Sequence, residues 1–203
     1  MATTAKENIL KRVRQALSNP VPLPFPGSEG GTSLFPPAAD DLEVLFAQEF
    51  TALQGKFAFC INEQDLHEQL QKLIAERQWT KIYCNEEKWN AAFSNTINLE
   101  SCDASITSCE NLVARTGSIV LTAATQSGRT VSVYAPIHIC IAYTSQLVFD
   151  VKDALLSIKE KYGNKIPSLI TFATGPSRTA DIEKTLVTGV HGPKEVYCFL
   201  VEG

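Results

Sequence analysis

The chain has 203 residues, with 18 basic and 22 acidic side chains and a formal charge of −4, so no global positive field draws it to nucleic acid or an anionic membrane. Its 44% hydrophobic content suffices to bury a substantial core, and its length is that of one large domain. Small molecules or proteins are therefore the expected partners, and no apolar run approaches a transmembrane length.

At the N-terminus, Ile9, Leu10, Val13 and Leu17 recur at helical spacing among Lys11, Arg12 and Arg14. This is the pattern of an amphipathic helix, not of a signal peptide. The helix is short and has no aromatic anchor, which favours packing on its own domain or on a partner over lying on a membrane. The next stretch carries six of the ten prolines, Pro20, Pro22, Pro24, Pro26, Pro36 and Pro37, with Gly27, Gly30 and Gly31 between them. Alternating prolines fix an extended backbone and remove ladder donors, so residues 1–39 read as a helix and a Pro/Gly-rich arm that clasps a neighbouring subunit or ties the helix to the body. A homo-oligomer formed through this arm is one expectation.

Residues 40–203 read as a single α/β domain with a mixed sheet. A helix with Leu42, Leu45, Phe46 and Leu53 is followed by a strand at Lys56–Ile61, a helix with Leu66, Leu70, Leu73 and Ile74, a short strand at Lys81–Cys84 and a helical piece at Glu86–Phe93. Three strand-like runs then come close together, at Ser118–Thr122, Thr130–Tyr134 and Ile137–Tyr143, and their spacing predicts hairpins or a meander. A helix spans Val151–Tyr162, and strands follow at Ser168–Thr174 and Glu195–Val201. The last strand is apolar on both faces, which places it centrally in the sheet.

The six cysteines, Cys60, Cys84, Cys102, Cys109, Cys140 and Cys198, are scattered, with no C-x-x-C pair. They read as buried free thiols of a reducing cytoplasm, not as ligands of zinc or an iron–sulfur cluster. His67, His138 and His191 show no metal-ligand spacing, so no metal is expected, and no G-x-G-x-x-G or Walker loop is present.

Polar chemistry concentrates in turns. The run Ser168–Thr174 ends at Gly175-Pro176, after which Ser177 or Thr179 is placed to cap a helix whose first-turn amides face an anion, with Arg178 as a carboxylate or phosphate fork. The competing reading is a capped helix with Arg178 paired to Asp181 or Glu183 on the surface. In a second turn, Gly189-Val190-His191-Gly192-Pro193, the glycines permit close backbone approach, and His191 is either a proton donor and acceptor or a structural hydrogen-bonding group. A third, Arg115-Thr116-Gly117-Ser118, together with Ser127-Gly128-Arg129, forms another wall of a polar cleft or a pair of ordinary hairpin turns. His138 sits either at the cleft rim or in the core.

Thr116-Gly117-Ser118, Tyr134-Ala135-Pro136-Ile137-His138-Ile139, Thr174 to Glu183 and Gly189 to Pro193, taken in this order, resemble the LUD-domain family, which includes lactate utilization protein C subunits. The resemblance implies a fold similar to ribose-phosphate isomerases, CoA transferases and formyltetrahydrofolate cyclo-ligase (NagB/RpiA-like). It implies a non-redox role in oxidizing L-lactate to pyruvate beside iron–sulfur partner subunits, with no cofactor in this chain. In that family the position of Arg115 is often acidic. The ligand-contacting set implied is Thr116, Gly117, Ser118, Thr174, Gly175, Ser177, Arg178, Thr179, Gly189 and Gly192. The alternative is a free-standing isomerase, CoA-transferase or cyclo-ligase-like enzyme acting on a phosphorylated or CoA-linked small molecule, with His191 moving protons and Asp181 or Glu183 as base or nucleophile. Fold kinship alone transfers no activity.

Overall fold

The computed structural model describes residues 5–18, 41–96, 98–182 and 185–203. The chain divides into two compact units, Met1–Pro36 and Pro37–Gly203. In the first, α1 spans Ala5–Leu17. The arm expected between this helix and the body falls outside the described residues.

In the second unit, α2 (Leu42–Ala52) leads to β1 (Lys56–Cys60), α3 (Glu63–Arg77), β2 (Ile82–Cys84) and α4 (Glu87–Phe93). The strands β3 (Ala104–Thr107) and β4 (Asn111–Val113) follow, then a single 3-10 turn at Ala114–Thr116 and β5 (Ser118–Thr122). After them come α5 (Val131–Tyr134), β6 (Ile137–Tyr143), β7 (Leu147–Val148) and α6 (Val151–Tyr162). The chain ends with β8 (Ile170–Ala173), β9 (Arg178–Ile182), β10 (Thr185–Thr188) and β11 (Glu195–Val201).

The strands among the described residues form three sheets. A five-stranded sheet has the order β1-β11-β6-β3-β2, and every pair in it is parallel. A four-stranded mixed sheet has the order β7-β4-β5-β8, and β9 and β10 form a separate hairpin. β11 lies between β1 and β6, the central place its two apolar faces require. Its alternate residues serve two cores: Tyr197, Phe199 and Val201 join Ile139 and Ile141 beneath α3 and α4, while Val196, Cys198 and Leu200 join Cys140 and Ala142 against Phe46 and Phe50 of α2 and Ile119 and Leu121 of β5. A third cluster seats Ala154 and Ile158 of α6 on Val113 and Val120. Each large side chain so buried contributes about 1.5–3 kcal/mol.

Local signals set the ends of two helices. The Asn62 side chain accepts the Asp65 amide to start α3, and Asp150 and Asp153 exchange backbone bonds in a capping box that starts α6.

Three expectations fail. Thr130–Tyr134 is not a strand: Val131–Tyr134 forms one helical turn, with Val131 buried and its carbonyl accepting the Ser105 hydroxyl. Pro136 then forces Ala135 extended, so the chain turns here instead of running on. No helix follows Gly175-Pro176 either, because Arg178–Ile182 is the first strand of the β9–β10 hairpin. Its sequence supplies the β-branched residues Thr179, Ile182, Thr185, Val187 and Thr188, which favour strands. The strands Ser118–Thr122 and Ile137–Tyr143 form as expected, yet they belong to different sheets and make no meander.

Candidate functional site

A first cluster of expected site residues is built where two turns, at Thr116–Ser118 and Thr174–Arg178, meet the end of α2. β5 and β8 are antiparallel, with Ile119 opposite Ala173, so the residues just beyond, Ser118 and Thr174, come together. The Ser118 hydroxyl lies 2.8 Å from both Thr116 Oγ1 and Thr174 Oγ1, giving a row of three hydroxyls. Gly117 has φ +57°, and a Cβ there would lie 2.5 Å from the Phe50 amide nitrogen. Gly175 has φ +81°, and its Cβ would fall 2.7 Å from the Leu53 carbonyl oxygen. Only glycine allows both the left-handed backbone and the close approach. The Arg178 guanidinium donates to that same Leu53 carbonyl. The carbonyls that close a helix lack intrahelical partners and carry partial negative charge, so Arg178 is held there by both a hydrogen bond and the helix dipole.

A second cluster begins within three residues of Gly175. The Ser177 amide donates to Pro193 O at 2.9 Å, and the Gly189 amide donates to Ser177 O at 2.9 Å. Gly192 lets this contact form, since a Cβ there would sit 3.0 Å from Ser177 Cβ. The Lys194 amide donates to Pro136 O at 2.8 Å, which binds the 189–194 loop to the entrance of β6. Between them lies a groove of about 430 Å³ lined by Val133, Tyr134, Pro136 and residues 189–192 and 194. It opens at the edge where β6 and β11 begin in register, Ile137 beside Glu195. His191 and Lys194 are exposed in it, Tyr134 is 61% exposed, and no carboxylate is among the lining residues. The groove therefore offers two nitrogen groups and a phenol over an apolar floor.

Residues 44–201 match the model of the LUD domain. The chain belongs to the LUD-domain family. Over 127 residues it is 38% identical to Lactate utilization protein C of Bacillus licheniformis, covering 61% of this chain and 51% of that protein. Over 134 residues it is 33% identical to Lactate utilization protein C of Bacillus subtilis, covering 64% and 56%. The chain thus spans about half the length of the curated relatives it matches. A crystal structure of a DUF162 family protein from Deinococcus radiodurans superposes with a TM-score of 0.60 at 17% identity, covering 82% of this chain and 99% of that one.

Within this LUD domain the expected site residues divide. Thr116, Ser118 and Thr174 are brought together, as are Ser177, Gly189 and Gly192, whereas Arg178 is directed to α2 and His191 to the groove. Thr179 and Asp181 lie on β9, and Glu183 lies outside the described residues. Arg115 makes two hydrogen bonds to Asp150 Oδ1, at 2.6 and 3.1 Å, and the guanidinium holds that carboxyl below its usual range. Arg115 thus bonds the residue that caps the N-terminus of α6.

His138 is in the core. It is 1% exposed, its Nε2 lies 2.8 Å from Thr107 Oγ1, and its Nδ1 has no partner. Burial lowers its pKa to about 4, so the imidazole is neutral at physiological pH.

Two polar clusters had no sequence signal, because their members are distant in the chain. Glu110 accepts from Thr122 Oγ1, Tyr162 OH and Lys161 Nζ at 2.6–2.7 Å. Burial pushes its carboxyl up, but these three donors outweigh that and leave it lowered. At the opposite end of the parallel sheet, Lys88, Glu63 and Tyr143 bond one another, so the charges there are mutually satisfied. All six cysteines are free and buried, and burial pushes Cys60 and Cys84 up to about 11. Among the described residues no group of three or more His, Cys, Asp and Glu is arranged to hold a metal ion, and no helix is long and apolar enough to cross a membrane.

Proposed function

We propose that this LUD-domain chain is a non-redox component of a lactate-utilization system, supporting oxidation of L-lactate to pyruvate beside iron–sulfur partner subunits. The observation that carries the reading is the groove at His191. Its two nitrogen groups, with no opposing carboxylate, suit an anion, and its size falls in the range of about 300–1,000 Å³ usual for ligand sites. Relatives at 33–38% identity that are named Lactate utilization protein C supply the physiological setting. Six buried free thiols suit a reducing cytoplasm. In this reading His191 and Lys194 contact the anion, and Ser177 with Gly189 and Gly192 holds their loop in place.

The test is complementation of a deletion strain growing on L-lactate, with co-purification of the tagged chain. Wild type restores growth and brings down cysteine-cluster proteins, while Lys194→Glu, which reverses one charge of the groove, does not restore growth. Undiminished growth without the chain, or a chain that never associates with iron–sulfur proteins, defeats the reading.

The same groove supports a second reading, an enzyme acting on a phosphorylated or CoA-linked molecule in the manner of NagB/RpiA-like folds. Pure protein assayed against sugar phosphates, acyl-CoAs and folates decides it. Turnover that disappears in His191→Ala favours the enzyme over the complex component.

A further inference from the structure

Apolar side chains converge on the His191 groove from two segments far apart in sequence. The Thr130 carbonyl accepts the amides of both Val133 and Tyr134 to close α5, and this single turn buries Val131 while leaving Val133 and Tyr134 40% and 61% exposed. Pro136 continues the floor from the same segment, and Val190, 44% exposed, reaches it from the 189–194 loop. That loop is tied at both ends, through the Gly189 amide to Ser177 O and the Lys194 amide to Pro136 O, so the fold holds both apolar surfaces to one groove. Single exposed apolar residues are ordinary on a protein surface, but a group gathered in one concave site marks a place that something apolar fills.

The charge at this floor is of one sign. No carboxylate lines the groove, and the neighbouring Glu195 is engaged elsewhere, by Lys56, Arg77 and Tyr197. The Lys194 stem lies across Gly189, where a Cβ would come within 2.1 Å of its Cγ, so glycine makes room for methylenes that add to the apolar surface while Lys194 remains exposed. Lys194 is the one permanent cation among the lining residues, which matches a carboxylate monoanion better than a phosphate carrying about two charges. Size narrows the ligand further. A hydroxy acid of about six heavy atoms displaces three or four waters, roughly 100 Å³ at about 30 Å³ each, and so fills about a quarter of a groove of about 430 Å³. Such a ligand leaves Val133, Tyr134 and Val190 largely in water.

We infer that the groove takes a carboxylate that carries an apolar tail, of the medium-chain acyl or arylalkyl class, with His191 and Lys194 on the carboxylate and Val133, Tyr134, Pro136 and Val190 along the tail. The inference rests on the anion reading of this groove under the proposed function and narrows it to one class of ligand. The carboxylate supplies the charge that the lining lacks, and the tail covers the floor that a short hydroxy acid leaves open.

The test titrates the full-length chain with acetate, L-lactate, butyrate, hexanoate and, as an uncharged control for the tail, hexanamide, following the amide NMR signals of Val190 and His191. The expected affinity rises about two- to fourfold per methylene from acetate to hexanoate, the gain for partly to fully covering each group. L-lactate binds close to acetate, and hexanamide about tenfold or more weaker than hexanoate, because it lacks the charge that strengthens its hydrogen bonds. Tyr134→Ala combined with Val133→Ser flattens the rise along the series, and Lys194→Gln weakens every carboxylate. All three residues are exposed, and circular dichroism confirms that the variants are folded. L-lactate binding as tightly as hexanoate, or a rise that the double variant does not flatten, overturns the inference and leaves the anion reading standing. Hexanamide binding as tightly as hexanoate, or a loop whose signals no carboxylate moves, overturns the inference together with the anion reading.

Discussion

At the end of α2, Gly117, Gly175 and Arg178 are held against backbone, whereas a few residues further along the chain His191 and Lys194 are exposed around an open groove. Both regions look alike in sequence, as glycine-rich turns bearing a cation or an imidazole. Their difference lies in what each polar group faces. Arg178 faces a helix carbonyl and is engaged within the fold, while His191 and Lys194 face the groove. Residues of the first kind are engaged within the fold, and residues of the second kind are those that a ligand meets in the proposed function. Substitutions in the fixed half are therefore expected to cost stability, and substitutions in the open half to cost function.

The largest effect is expected at Gly117. A side chain there imposes a left-handed backbone on a branched residue, about 1–3 kcal/mol, and drives its Cβ to 2.5 Å from the Phe50 amide nitrogen, where backbone and not a flexible side chain must yield. Gly117→Val should lower the unfolding free energy by about 4 kcal/mol in urea titration. A loss below about 0.5 kcal/mol would show that the seam between the turn and α2 is not fixed after all.

The two histidines near the groove separate next. His138 begins two residues after Pro136, which lines the groove, yet it is buried and its pKa is lowered to about 4 from an ordinary 6.5. Between those values the unfolded chain binds a proton that the native chain refuses, so the stabilisation is complete above pH 6.5 and is lost as pH falls towards 4. The expected loss over that window is about 3 kcal/mol. His138→Gln should flatten this part of the pH–stability curve, and an imidazole NMR titration of the folded chain should show no midpoint near 6.5 for His138. A native midpoint close to 6.5 would mean that water reaches the imidazole.

What the sequence made legible follows from which interactions are local. The limits of β6, α6 and β11 agree with the periodicity because alternate residues of those strands face two apolar cores and one stripe of α6 faces the second sheet. β3 went unread because Ser105 and Thr107 look solvent-facing, while in the fold their hydroxyls are matched by the Val131 carbonyl and His138, 26 and 31 residues away. The helix expected after Gly175-Pro176 rested on capping chemistry, which a hairpin partner at Thr185–Thr188 overrides. The turn at Arg115–Ser118 was expected to form a wall with Ser127-Gly128-Arg129, and its meeting with Thr174 was not read, nor was the partner of Arg178, because a main-chain carbonyl such as that of Leu53 leaves no signature in side-chain pattern.

A smaller effect tests that last contact. Arg178→Ala should remove one charge-assisted hydrogen bond and the favourable placement of a cation at the end of α2, costing about 1 kcal/mol. Because Arg178 is exposed, the loss should shrink in high salt. If Arg178→Ala instead abolishes lactate growth with stability unchanged, Arg178 belongs to the open half, and its bond to Leu53 gives way when a ligand is present.

The smallest effect on stability, and the sharpest on function, is expected at His191. Its side chain is exposed at the groove, so His191→Ala should change unfolding free energy by no more than about 0.5 kcal/mol. The neighbouring glycines keep the loop in place, because Gly189 and Ser177 are joined through backbone atoms that the substitution leaves intact. Any loss of growth on L-lactate in this variant is then a loss of contact and not of folding. His191→Asn, which keeps a hydrogen-bonding group but cannot carry a proton at neutral pH, separates the two contact roles. Growth restored by asparagine assigns His191 to recognition. Growth lost equally in both variants assigns it to proton transfer, and with it turns the open half of the site from a binding surface into a reacting one.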